Sequence, residues 1–235
     1  MRHRLFAAWA VVLAIGLPAT LAAQDIGTIL PVEEESYHVP MFRNDYVTLL
    51  RMLIPPGTSS GYHVHSRDQI GVVVGPYPPK AYSHPLGKAP NAPRFAPLGE
   101  VTYLNYYKTP VTHRAFNPDT IPIDVYGIIL NSPKPWGFTP GARDVPGYTQ
   151  VLDNERARGW RLVLEPGQTA PAITQSAPGV RVTIRGGDIL QVSPGRRDRA
   201  MHPMAREAFW QEPGQTRAVR NIGTTTVEIV EFELK

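Results

Sequence analysis

The chain reads as an all-β protein built from one module used twice. Three observations predict this. The run Arg51-Met-Leu-Ile-Pro-Pro-Gly57, then five residues, then His63-Val64-His65-Ser66 returns as Arg161-Leu-Val-Leu-Glu-Pro-Gly167, five residues, then Ile173-Thr174-Gln175-Ser176, at a constant offset of 110. His113, Asn117 and Thr120 return as Arg217, Asn221 and Thr224 at an offset of 104, and each block runs into an apolar stretch at 123–130 and 227–234. Finally, 20 glycines and 25 prolines among 235 residues favour many turns and few long helices.

The elements follow in order. Residues 46–54 are rich in β-branched and aliphatic side chains and stop at Pro55-Pro56-Gly57; 70–74 stop at Gly75-Pro76; 123–130 stop at Asn131-Ser132-Pro133. The second copy offers 160–164, 180–184, 188–192 and 227–234. Short strands divided by Gly/Pro turns predict a sandwich or barrel. In 227–234 apolar and acidic residues alternate, the pattern of a half-buried strand. Two stretches read as loops. The first, 76–99, carries Pro76, Pro78, Pro79, Pro85, Pro90, Pro93 and Pro97; the second, 131–147, carries Pro133, Pro135, Pro140 and Pro146 and is the natural linker. The expected division is therefore a first barrel over 41–130, a linker over 131–147 and a second barrel over 148–235.

The N-terminus has its own logic. Met1-Arg2-His3-Arg4 is basic, 5–17 is uncharged and apolar, and small residues precede Gln24. That order predicts a signal peptide over 1–23 and a secreted or periplasmic mature chain with no membrane attachment. With no cysteine, neither a lipid-anchored form nor a disulfide framework is available, so core packing must hold the fold. Removing the first 23 residues takes away Arg2 and Arg4 and no acid, lowering the formal charge from +4 to +2. With no run of five Lys/Arg either, a nucleic-acid partner is not expected.

Gly57, five residues, His63-x-His65, three residues and Gln69 resemble the first motif of the cupin superfamily. His113, three residues and Asn117 resemble the core of its second. The resemblance covers most of 41–130 and, in degenerate form, 148–235. It implies two tandem cupin-type (RmlC-like) jelly-roll β-barrels, with a metal in the first held by His63, His65 and His113. The family's glutamate position falls on Gln69, with Asp68 one place earlier, so the fourth ligand is open between these two. The proline and glycine before the family's third histidine fall on Lys108 and Pro110, so that turn is altered.

The chemistry suits the spacing. Side chains alternate along a strand, so His63 and His65 project to one face. A third imidazole from a remote strand completes a facial set with open positions. Such a site suits one divalent ion, iron, manganese, nickel or zinc. Copy two has Ile173, Gln175 and Arg217 at the matching places; isoleucine offers no ligand atom and a guanidinium repels a cation, so this barrel is expected to be metal-free. Arg217 is expected to be structural. His84 is expected in a solvated loop, and His38 and His202 at the surface. Tyr62, Tyr103, Tyr106 and Tyr107 are pocket candidates or barrel packing, and Arg67 and Arg114, as strand neighbours of inward residues, should face outward. Two functional classes remain: a metal-dependent oxygenase or isomerase acting on a small organic molecule, and a non-catalytic small-molecule or sugar-binding protein. A homodimer is compatible with either.

Overall fold

The computed structural model describes residues 27–78 and 80–235; the predicted signal segment and Pro79 lie outside these residues. In chain order the first ten strands are β1 (Leu30–Pro31), β2 (His38–Arg43), β3 (Val47–Ile54), β4 (Thr58–Ser59), β5 (His63–His65), β6 (Gln69–Val73), β7 (Tyr82–Pro85), β8 (Val101–Leu104), β9 (Val111–Asn117) and β10 (Ile123–Leu130). The remainder are β11 (Tyr148–Asp153), β12 (Ala157–Leu164), β13 (Thr169–Thr174), β14 (Gly179–Arg185), β15 (Ile189–Val192), β16 (Arg199–Met201), β17 (Ala208–Gln211), β18 (Thr216–Asn221) and β19 (Val227–Leu234). Among the described residues, one short 3-10 turn, Val32–Glu34, interrupts the strands.

Each half forms two sheets. In the first, β1-β5-β9-β4, with β7 on β9, faces β2-β3-β10-β6-β8; in the second, β13-β18-β15-β16 faces β11-β12-β19-β14-β17. The halves share their register. His63 stands opposite His113 as Ile173 stands opposite Arg217, and Gly127 stands opposite Gly71 as Glu231 stands opposite Arg181. The repeated glycines and asparagines explain the common frame. Gly57 and Gly167 both adopt positive φ, 70° and 80°, where a side chain would be strained. The Asn117 amide donates to the carbonyls of Ile54 and Ile121 at 3.0 and 2.9 Å, and Asn221 does the same to Leu164 and Thr225, both at 2.8 Å. These asparagines are buried turn clamps, not ligands.

The main core lies between the halves. Leu49, Ile70, Val72, Tyr126, Ile128 and Leu130 meet Val180, Val182, Val230, Phe232 and Leu234 in one apolar cluster. This corrects the reading of 227–234 as half-buried: every residue of β19 is buried. One face of the strand enters the inter-barrel core, while Glu231 and Glu233 point into the second barrel. Two further expectations change. The first pair of sheets draws on the chain from Leu30, because β1 pairs with β5 and β2 with β3. The loop predicted over 76–99 contains β7, so His84 lies on a strand, with its Nε2 2.9 Å from the Lys88 carbonyl.

Candidate metal centre

β5 and β9 bring three imidazoles together. His63 Nε2 lies 3.1 Å from His65 Nε2, which lies 3.0 Å from His113 Nε2. The chain holds them from behind. His63 Nδ1 is 3.0 Å from the Gly61 carbonyl and so carries its proton there, which leaves the Nε2 lone pair facing the cluster. His113 Nδ1 is 2.6 Å from Ser83 Oγ on β7. Among the described residues, His65 Nδ1 has no hydrogen-bond partner. A proton on His65 Nε2 can satisfy one neighbour at a time, leaving another lone pair facing it. A divalent cation among the three would satisfy all of them, so the donor set fits a metal. Burial holds the rings neutral and ready to ligate. It drives the His63 pKa down to about 4, with the nearby His38 adding to the effect. Burial and neighbouring imidazoles drive His113 to about 3 and His65 to about 2.

The cluster opens on a cavity of about 210 Å³. Its wall is largely apolar, with Met52, Ile54, Leu104, Ile123 and Val125, and Arg94 is its guanidinium, paired with Glu100. Two glycines make room for polar side chains of the wall. A Cβ on Gly71 would stand 2.6 Å from Thr102 Oγ1, and one on Gly127 would stand 2.8 Å from Gln69 Nε2. Tyr106 lies with its ring centroid 4.6 Å from that of His65, and burial raises its pKa to about 12, so it stays a neutral phenol.

The remaining expectations resolve as follows. Gln69 is buried and lines the cavity beside the histidines. Asp68 faces away from them. It takes Tyr103 Oη at 2.8 Å, the Tyr107 amide at 3.0 Å and Arg156 Nη1 at 3.0 Å, so it ties the first barrel to the second and is not a ligand. Tyr106 lines the cavity, whereas Tyr103 is spent on Asp68. Arg67 binds Asn131 and Glu33, and Arg114 sits 5.2 Å over the Tyr62 ring; neither lines the cavity. His202 is exposed, as expected, but His38 is only 4% exposed and lines the cavity, its ring centroid 4.6 Å from that of His63. Sequence reasoning missed His38, Glu35, Ser83 and Arg94. A usable signal existed for His38. The offset of 110 carried back to it lands on Tyr148, and the two share a register, His38 opposite Met52 and Tyr148 opposite Leu162.

The second barrel holds charge where the first holds space. Arg143, from the linker, enters it and binds Glu231, Glu233 (2.6 Å) and Gln175 (3.0 Å), with its guanidinium 4.2 Å over the Trp160 ring. Arg217 reaches Glu231 at 2.8 Å and Arg181 Nε reaches it at 2.6 Å. Burial works against the Glu231 carboxylate, but the three guanidiniums prevail and hold its pKa well below the usual range. Arg217 is thus structural, in a barrel filled by an ion-pair network.

No sequence-family model matches the chain. No characterised protein sequence matches it either. Solved structures do. AerE from Microcystis aeruginosa aligns at 10% identity over 86% of this chain and 98% of its own, with a TM-score of 0.56. Salicylate 1,2-dioxygenase from Pseudoaminobacter salicylatoxidans, in complex with gentisate, aligns at 12% identity over 82% of this chain and 71% of its own, with a TM-score of 0.55. A cupin domain from Bordetella pertussis covers 37% of this chain at 24% identity, with a TM-score of 0.36. The paired sheets and the alignments with AerE and salicylate 1,2-dioxygenase define the fold: two jelly-roll barrels in tandem.

Proposed function

We propose that this is an exported, metal-dependent cupin that binds one divalent ion through His63, His65 and His113 and acts on a small organic acid as an oxygenase. The observation that carries the reading is the convergence of three neutral imidazoles on an apolar cavity. Bound there, the metal supplies a Lewis acid with open positions and, if redox-active, oxygen chemistry. The protein supplies the rest. Gly61 and Ser83 fix ring orientation, and the apolar wall excludes water. The gentisate complex of the structural neighbour agrees with a substrate of this class. Export rests on the order of residues 1–23.

One observation favours a second reading, a non-catalytic binding protein. Asp68, the acid nearest the motif, is spent on Arg156 and Tyr103, and Glu100 in the cavity wall is paired with Arg94. The experiment is reconstitution with iron, manganese, nickel or zinc, followed by oxygen uptake and calorimetric binding on hydroxylated aromatic acids, diketones and thiols. Metal-dependent uptake with an aromatic acid supports the oxygenase. Small-molecule binding without oxygen uptake under any metal replaces it with the binding protein, and failure to bind any of the metals sinks the oxygenase reading.

A further inference from the structure

The first barrel contains a second group of potential ligands, Glu35, His38 and His63, all buried and with one donor atom each within 4.8 Å of the others. Two of them come from the N-terminal segment ahead of the histidine motif. His38 Nδ1 lies 2.7 Å from the Val32 carbonyl, which places the proton there and leaves Nε2 as a lone pair. That lone pair lies 3.9 Å from Glu35 Oε2, and no hydrogen bond joins these two acceptors. Glu35 is itself held in place: its oxygens accept from the Tyr37 amide at 2.9 Å and the Gly61 amide at 3.1 Å. Two buried acceptors fixed at this spacing suit a cation between them, since metal–ligand bonds of about 2.0–2.2 Å place neighbouring donors about 3–4 Å apart.

We propose that Glu35, His38 and His63 form an alternative divalent-cation seat that competes with the three-histidine seat for His63. The proposal rests on the metal-binding reading above and deepens it. His63 has one nitrogen to give, because Nδ1 is engaged with Gly61, so the seats exclude each other and the chain holds one ion at a time. They differ in chemistry. The three-histidine seat is all-nitrogen and neutral, which suits zinc, nickel or copper. The alternative seat carries the carboxylate that position 69 lacks and suits a harder ion such as Mn²⁺. The metal supplied would decide which seat fills.

The test is titration with Mn²⁺ and Zn²⁺, followed by calorimetry and by the Mn²⁺ paramagnetic resonance signal. The His65→Ala/His113→Ala variant should bind one Mn²⁺ per chain within about tenfold of the wild-type affinity. Adding Glu35→Gln, which keeps the side-chain shape, should abolish that binding. Glu35→Gln alone should leave Zn²⁺ affinity within threefold of wild type but alter the Mn²⁺ spectrum. The proposal is overturned if the double variant binds no more Mn²⁺ than the triple variant, or if Glu35→Gln leaves the wild-type Mn²⁺ spectrum unchanged. Wild-type protein that takes up neither ion would instead overturn the metal reading itself.

Discussion

The two barrels occupy one backbone plan and differ at a few inward positions. Where the first has His63, His113, Gly71 and Gly127, the second has Ile173, Arg217, Arg181 and Glu231, in the same register. The first interior centres on uncharged imidazoles with an apolar wall and has room for a ligand. The second is filled by three arginines, two glutamates and the ring of Trp160. The turn glycines and clamp asparagines that both copies keep set the frame, and the residues pointing inward decide whether it becomes a site or a brace. Buried ion pairs stabilise little against an apolar core, yet removing one partner leaves an uncompensated charge.

That contrast can be broken in several ways. The largest effect on stability is expected from Glu231→Ala, which removes the carboxylate partner of Arg181 and Arg217 and leaves Arg143 only Glu233 and Gln175. Denaturant unfolding should show a loss of about 3–5 kcal/mol, with metal affinity per folded chain unchanged. A loss below about 1 kcal/mol would mean that the network is not what holds the second barrel.

The second prediction separates the barrels by pH. His38, His63, His65 and His113 have pKa values pushed below 6.5, chiefly by burial, so below pH 6.5 the unfolded chain takes up protons that the folded metal-free chain does not. Their contribution is present above pH 6.5 and is lost as pH falls towards the folded values, about 4 for His63. Each excess proton amounts to about 1.4 kcal/mol per pH unit. Glu231, depressed below its usual 4.5, adds its loss only at lower pH. Metal-free protein should therefore weaken between pH 6.5 and 4.5, and His65→Gln should make that slope shallower. A flat profile in this window would show that the imidazoles are not held neutral.

Smaller effects sharpen the picture of the first barrel. Ser83→Ala removes the partner of His113 Nδ1 and should weaken metal binding about 10- to 100-fold while the fold persists. An unchanged dissociation constant would leave β7 with no part in the site. Gly127→Ala should push Gln69 aside, lose about 1–3 kcal/mol by overpacking and weaken small-acid binding. If both stability and ligand affinity are retained, the cavity does not depend on the absence of a side chain there.

Much of this was legible in the sequence. The offsets of 110 and 104 located the repeat, β10 and β19 have the expected bounds, and His63, His65 and His113 converge as the cupin resemblance implies. The missed parts share a physical cause. β1 is two residues long and β2 is exposed along most of its length, so neither has a hydrophobic period to read. His38 therefore seemed a surface residue, although pairing with β3 buries it. Asp68 and Arg156 are 88 positions apart, and only the packing of one barrel on the other brings them together. The acidic positions of β19 looked solvent-facing because alternation shows that a strand has two faces, not that both are covered.

The most direct test of the asymmetry between the barrels is metal stoichiometry. Protein reconstituted with zinc and freed of loose metal would be measured by plasma mass spectrometry as wild type, His63→Ala and Gln175→Ala. The account predicts one metal per chain in the wild type, none in His63→Ala and one in Gln175→Ala. Two metals in the wild type, or one that survives His63→Ala and disappears with Gln175→Ala, would contradict it.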